Sequence, residues 1–199
     1  MEFREAVRRR RMIHSFEQRP VDRALLDELV DVARRAPSAG FSQGIDFVVL
    51  DDPAMLERFW SLTDDPAFPR EPGELDAAPP VIVLLLADAD RYVARYSAPD
   101  KLAFGLDRAD AWPVRFWETD AAMAGMVLLL GAVDAGLGSW YFGIGHGAPE
   151  LRDELGIPPE RTLIGVVGIG YAAPEQPRVG SAYSLPRRPL GEQLHHNGW

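Results

Sequence analysis

The stretch that decides the fold is Phe116 to Ala135, FWETDAAMAGMVLLLGAVDA, which is rich in Ala, Leu and Met. Apolar residues occupy nearly every face of a helix drawn through it, so we expect a long helix that is central or buried in a subunit interface. Gly136 and Gly138 follow directly and predict where this helix ends. The apolar stretch from Ala121 to Leu137 is interrupted by Asp134 and falls short of about 18 uncharged residues, so the sequence predicts buried core and no membrane span.

Further strands and helices are predicted before and after this helix in the sequence. Pro80 to Ala87 is continuously apolar and of strand length, which indicates a sheet that is covered on both faces. Further strands are predicted at Ile45 to Leu50, Ser139 to Phe142 and Thr162 to Tyr171. Further helices are predicted at Glu2 to Arg11, Asp22 to Arg35, Pro53 to Leu62 and Pro149 to Leu155. This order of elements predicts an α+β fold in a single domain that spans residues 1–199.

Three segments show little periodicity. Thr63 to Ala78 and Ser97 to Pro113 are mixed in composition, with several Pro and acidic residues, and they are interpreted as lids or linkers. Ala172 to Trp199 is a long tail that ends in a tryptophan. Such a tail is expected to pack on something, and a partner subunit is one natural candidate.

Composition excludes several classes of protein. The chain has 199 residues, 47% of them hydrophobic, and no cysteine, which rules out disulfides, a Cys-ligated zinc site and a catalytic thiol. The formal net charge of −9 argues against general nucleic-acid binding, which needs a basic face. The N-terminus from Met1 to Phe16 is too rich in arginine for a secretory signal, so we expect a cytoplasmic protein.

Two motifs leave a choice open. Arg8 to Arg11 are four consecutive arginines, which suit either a solvated helix end or the binding of a phosphate group. Gly143 to Gly147 is a glycine-rich loop that lacks the Lys and Ser/Thr of a P-loop. It is interpreted as a flexible turn or as backbone that approaches a flat ligand.

Other chemistries find no support in the residues. Gly168 to Ala173 matches the GxGxxA pattern of dinucleotide sites, but Pro174 and Pro177 forbid the helix that such a site requires. His195 and His196 are adjacent and have no third ligand nearby, so no metal site is predicted. No serine stands in a nucleophile elbow. The residues alone therefore propose no catalytic side chain.

Along the chain come four segments, Arg10 to Phe16, Ala36 to Phe47, Gly136 to Trp140 and Arg187 to Leu190, which in this order resemble the motifs of the FMN-dependent nitroreductase family. Arg10 to Phe16, RRMIHSF, followed by Pro20-Val21, is similar to the family's RRSIRxF…PV opening. The resemblance implies that Arg10, Arg11 and His14 line the phosphate and ribityl chain of FMN. Met12 stands at the same site, in place of the usual serine.

The second segment is Ala36 to Phe47, which resembles the family's PSxxNxQPW turn. Pro37, Ser38 and Gln43 match this motif, whereas Phe41, Gly44 and Ile45 do not. In the family the turn passes along the pyrimidine side of the flavin. The resemblance therefore implies that the flavin is contacted by Pro37, Ser38, Ala39 and Gln43.

The last two segments follow the long helix. Gly136 to Trp140 is similar to the end of the family's central helix, which implies that the backbone of Gly143 and Ile144 approaches flavin N5. Arg187-Arg188-Pro189-Leu190 resembles the closing basic motif that returns to the phosphate, and Arg187 and Arg188 are equally eligible. The ending from His195 to Trp199 also resembles the family's.

The resemblance implies a nitroreductase-like fold: a mixed sheet covered by helices, a long central helix, and an extended C-terminal tail at a homodimer interface. FMN would take hydride from NAD(P)H and pass it to a nitroaromatic, quinone or enone in a ping-pong mechanism. The protein then needs only to bind and tune the flavin, so missing acid and base residues are no obstacle. Two alternatives stay open: a flavin-dependent dehydrogenase of a peptide or small metabolite, and a flavin-sequestering protein without turnover.

Overall fold

A four-stranded sheet between two layers of helices organises the computed structural model of the chain, which describes residues 1–67, 77–177, 181 and 184–199. The strands are β1 (Ile45–Leu50), β2 (Val81–Asp88), β3 (Gly138–Phe142) and β4 (Arg161–Gly170). The α-helices are α1 (Phe3–Arg9), α2 (Arg23–Ala33), α3 (Pro53–Thr63), α4 (Ala89–Tyr96), α5 (Phe116–Asp134) and α6 (Ala148–Glu154).

The strands run antiparallel throughout, in the order β1-β2-β4-β3. The predicted α+β fold is confirmed, but the named strands do not form the mixed sheet that was expected. Parallel pairing within the described residues is limited to one bridge between Met12 and Ser139. The mixed sheet was expected from the resemblance alone, since a continuous apolar run reports only that both faces of a strand are buried and leaves strand direction open.

Strand β2 shows why both of its faces are buried. All eight of its residues are buried. Val81, Val83 and Leu85 join a cluster with α2 and α5 on one face. Ile82 and Leu84 join a cluster with α3 and α6 on the other. Because successive side chains of the strand point to opposite faces of the sheet, they pack into two separate hydrophobic cores.

Helix α5 lies against the sheet, as its composition predicted, and eight of its residues are buried. It has the length and hydropathy of a membrane span, but its packing in the core accounts for that composition. Gly136 ends the helix with a φ of +75°, while the N–H groups of Gly136 and Leu137 donate to the carbonyls of Val133 and Ala132. This Schellman arrangement confirms the predicted end.

Helix α4 was missed by the sequence reading. Asp88 caps it, because one carboxylate oxygen accepts from the N–H groups of Asp90 and Arg91 at 3.1 and 3.4 Å. Only Tyr92 within the helix is buried. A short, polar helix with one buried side chain carries little periodicity, and Asp88 at the end of an apolar strand was the available signal.

The GxGxxA segment forms no dinucleotide site. Residues 171–177 follow β4 without any helix, which agrees with the effect expected of the two prolines. Gly168 and Gly170 have a packing role instead, since a Cβ at either position would collide with the ring of Pro79 or Pro80. The glycines therefore let the Pro79-Pro80 segment lie close to β4.

Candidate functional site

The segment Arg10 to His14, called here the arginine segment, lies along the outer edge of β3. Helix α1 ends at Arg9, and the Ile13 N–H then donates to the Ser139 carbonyl at 2.9 Å. The Tyr141 N–H donates to the Met12 thioether at 3.4 Å. Met12, at the family's serine position, therefore occupies part of the strand edge with a weak acceptor.

The four arginines divide into different roles. Arg8 and Arg9 both pair with Glu5 on α1, so they serve the helix end. Arg10 is half-buried, and its Nη1 is buried with no hydrogen-bond partner in the described part of the chain. Arg11 is exposed and lines a cavity of about 250 Å³ beside the end of α5. Successive residues of an extended segment alternate in direction, which separates Arg11 from Arg10.

His14 is half-buried beside the same strand. Its ring lies 5.1 Å from the Trp140 ring, centroid to centroid, at 58°. The backbone N–H groups of His14 and Ser15 donate to Gln176 Oε1 at 3.1 and 3.3 Å. In return, Gln176 Nε2 donates to the carbonyls of Ser15 and Ala173 at 2.6 and 3.0 Å. Gln176 thus holds the arginine segment in place, and no sequence pattern singled it out.

Residues Pro37 to Gln43, called here the serine loop, form a second group of predicted site residues. Pro37 is exposed at its start, and the Gln43 N–H donates to Ser38 Oγ at 3.0 Å. The Ala39 N–H donates to Asp120 Oδ2 at 2.9 Å. A carboxylate on α5 therefore anchors the loop that carries the predicted flavin contacts.

Asp120 is a positioning residue that the sequence reading missed. It is buried, and Oδ2 also accepts from the Tyr92 hydroxyl at 2.7 Å. Burial and the neighbouring carboxylate raise the pKa of Tyr92 well above its ordinary value. The available signal was an aspartate in the first turns of an apolar helix, directly before its uninterrupted apolar stretch, because a buried charge requires partners.

The arginine segment and the serine loop lie at opposite ends of α5. The serine loop bonds to Asp120 near the first turn, whereas Arg11 lines the cavity that includes Asp134 at the last turn. At 1.5 Å rise per residue, these two aspartates are about 21 Å apart along the helix axis. A single chain therefore does not bring the arginine segment and the serine loop together.

Gly143 and Ile144 directly follow β3, the strand along which the arginine segment lies. Gly143 is exposed, and a Cβ at this position would meet no atom within 4 Å. Ile144 instead packs against the cluster that includes Phe59 and Trp60. One residue thus anchors the turn while its neighbour leaves the backbone open to a ligand.

The two tail arginines differ in their contacts, although the sequence left them equivalent. Arg188 Nη2 donates to the Glu192 carbonyl at 2.9 Å, and its Nε contacts the Glu192 carboxylate at 3.4 Å. Arg187 is exposed and has no side-chain partner among the residues that the structure describes. Among the described residues, neither arginine has a hydrogen bond or ion pair with the arginine segment.

Fold and site together describe an α+β protein in which Arg10 Nη1 has no hydrogen-bond partner among the described residues and an open glycine turn follows β3. The family model for the nitroreductase family matches residues 7–171. The chain therefore belongs to the nitroreductase family, and the resemblance read from the sequence is confirmed.

Individual relatives agree with this assignment. The NADH dehydrogenase of Thermus thermophilus is 29% identical over 193 residues, which cover 88% of this chain and 89% of that protein. An FMN-dependent nitroreductase of Clostridium difficile superposes with a TM-score of 0.67, 21% identity and 98% coverage of both chains. A Desulfovibrio desulfuricans protein crystallised in complex with FMN superposes with a TM-score of 0.70, 22% identity and coverage of 100% of this chain and 98% of that one. At these identities the two structures confirm the fold.

Proposed function

We propose that this chain is an FMN-dependent oxidoreductase that passes hydride from NAD(P)H to a small acceptor. The observation that carries the proposal is Arg10 Nη1, buried and without a partner among the described residues. Leaving a buried donor of a charged group unpaired is costly, and an anionic ligand would supply the missing acceptor. The two structural relatives bind or depend on FMN, which is such an anion.

The residues present fit this ligand. A phosphate monoester carries about −1.5 to −2 charges near neutral pH, and guanidinium groups bind it with paired hydrogen bonds. Arg10 would hold the phosphate, and Arg187 is the better placed of the two tail arginines because Arg188 is occupied by Glu192. The open backbone at Gly143 leaves room for a flat ring system beside β3.

A homodimer would complete the site. The serine loop and the arginine segment are separated by most of α5, so a second copy is needed to place one beside the other. Every described residue from 184 to 199 is exposed in the single chain, including Leu190 and Trp199. On α5 itself, Met123 and Met126 are also exposed. Apolar surface of this extent favours association with a second copy.

Bound FMN would supply the redox chemistry, with hydride arriving from NAD(P)H and leaving to a nitroaromatic, quinone or enone. The chain holds and orients the flavin, with Arg10 at the phosphate and the turn at Gly143 beside the ring. If nicotinamide and acceptor use the same flavin face in turn, initial-rate plots at varied acceptor concentration are parallel. Intersecting lines would show that both reactants bind together.

The decisive experiment is an absorbance spectrum of the purified protein before and after anaerobic addition of NADH and of NADPH. We expect a yellow protein, either as purified or after addition of FMN, whose flavin band bleaches with at least one nicotinamide. FMN is expected to bind more tightly than riboflavin because of the phosphate contact. Equal affinity for both flavins contradicts the proposal. Bound flavin that neither nicotinamide bleaches indicates the sequestering or dehydrogenase alternative, which trials with reduced metabolites then separate.

A further inference from the structure

The backbone of the serine loop is strained at residues that are not glycine. Phe41 and Gln43 have φ angles of +57° and +53°, and Gly40 has +62°. Glycine adopts this left-handed region freely, but residues with a Cβ do so at a cost in free energy, which bulky side chains feel most. Such conformations persist where the surrounding structure imposes them, and they cluster at functional sites.

The surrounding structure does impose this conformation. Besides the bond from Ala39 to Asp120, the Gly40 carbonyl accepts from Arg95 Nε at 3.0 Å. Within the loop, Ser42 Oγ donates to the Ala39 carbonyl at 2.7 Å. Together with the bond between Gln43 and Ser38, these contacts hold both flanks of Phe41. The loop is therefore built to keep Phe41 in one position.

The side chains that the loop presents outward are few. The hydroxyls of Ser38 and Ser42 are used within the loop. Phe41 is 76% exposed, and among the described residues its ring contacts no other aromatic ring. Gln43 is exposed as well. A ring offered beside a carboxamide suits a flat heteroaromatic ligand, with the ring against its face and the amide at its polar edge.

The residue type expected at position 41 of the motif also supports a role for the Phe41 ring. The related turn, PSxxNxQPW, has asparagine here, a residue that tolerates the left-handed region. Phe41 adopts the left-handed region without that tolerance and without polar groups. A bulky aromatic residue held in a costly conformation at an exposed position indicates that the aromatic ring itself has a role.

We propose that Phe41 is a specificity-determining residue whose ring packs on the isoalloxazine ring of FMN held by the arginine segment of a second copy. This rests on the proposed function and its dimer. The contact replaces hydrogen bonding at this position with ring stacking. It acts on the flavin ring and not on the phosphate, so it strengthens FMN and riboflavin binding equally.

The test compares Phe41→Gly with Phe41→Tyr. Dissociation constants for FMN and riboflavin are measured by flavin fluorescence at concentrations where light scattering reports a dimer. Phe41→Gly is expected to weaken both flavins about tenfold and to leave their ratio unchanged. Phe41→Tyr keeps the ring and is expected to stay within about twofold of wild type. The melting temperature of the apoprotein is expected to hold or rise in Phe41→Gly, because glycine removes the strain at φ +57°.

Three results would overturn the inference: unchanged flavin affinity in Phe41→Gly, a loss confined to FMN, or a variant that is monomeric where wild type is dimeric. The last result would make Phe41 an interface residue alone. Failure of wild type to bind either flavin would instead refute the proposed function. The two failures are therefore distinguishable from the same titrations.

Discussion

The arginine segment and the serine loop treat their polar groups in opposite ways. At the arginine segment, Arg10 Nη1 is buried without a partner among the described residues, and the nearby Ser139 Oγ is in the same state. In the serine loop, the hydroxyls of Ser38 and Ser42 are both bonded internally. The strain in the loop lies in its backbone, at Phe41 and Gln43.

This difference indicates that the arginine segment and the serine loop recognise different parts of a ligand. Unsatisfied donors beside a positive charge prepare a region for an anion that brings acceptors of its own. A loop whose hydroxyls are satisfied and whose backbone is fixed offers a ligand a defined surface and no charged group. We infer that the arginine segment selects the phosphate end of a flavin and the serine loop selects its ring. The predictions below test that division.

The largest effect is expected from Arg10→Ala. Removing a buried, charge-assisted phosphate contact should weaken FMN binding about a hundredfold, from roughly 3 kcal/mol of lost interaction. Riboflavin has no phosphate, so its affinity should change by less than about twofold. Titration of both flavins by fluorescence measures the two effects together.

Arg8→Ala is the matched control, because Arg8 belongs to the same arginine run but pairs with Glu5 on α1. Its FMN affinity should stay close to wild type. Equal losses in the two variants would show that the basic run acts only through its overall charge. The proposed division between the arginine segment and the serine loop would then fail.

Much of this architecture was readable from the sequence, and the reasons for the rest are specific. Helix α5 and strands β1 and β2 follow from long apolar runs, and the arginine segment from its motif. Gln176 and Asp120 were missed because each acts through a backbone group distant in sequence. The unequal roles of Arg187 and Arg188 depend on a single contact to Glu192. Pairings of this kind exist only once the chain has folded.

A second prediction concerns the support of the arginine segment. Gln176→Ala removes the bonds to His14, Ser15 and Ala173, and should weaken FMN binding about tenfold through loss of preorganisation. Riboflavin binding should fall less. Gln18→Ala is the control, since Gln18 also donates to a backbone carbonyl, that of Ala78, at 3.0 Å. Similar FMN affinities in the two variants would show that Gln176 only stabilises the fold.

The hydrogen bond from Tyr92 to Asp120 supports the serine loop, and its contribution to stability should fall at alkaline pH. The raised pKa of Tyr92 means that the folded state favours the protonated hydroxyl that donates to Asp120. Its contribution to stability is therefore complete below about pH 10, the ordinary pKa of tyrosine, and is lost as the pH rises further. Tyr92→Phe should cost about 1 to 2 kcal/mol at pH 7, and this gap should narrow above pH 10. Urea unfolding at pH 7, 10 and 11 measures it, and a gap independent of pH would rule out the titration.

The smallest and most diagnostic effect belongs to His14, which the resemblance places at the phosphate although its ring lies 5.1 Å from that of Trp140. His14→Arg should strengthen FMN binding severalfold, because a guanidinium group can bind the doubly charged phosphate through paired hydrogen bonds. Riboflavin has no phosphate, so its affinity for the same variant should stay within about twofold of wild type. Titration of both flavins by fluorescence measures the two effects. Equal FMN affinities in His14→Arg and wild type would show that His14 is a packing residue of the β3 edge and that the phosphate contact rests with Arg10.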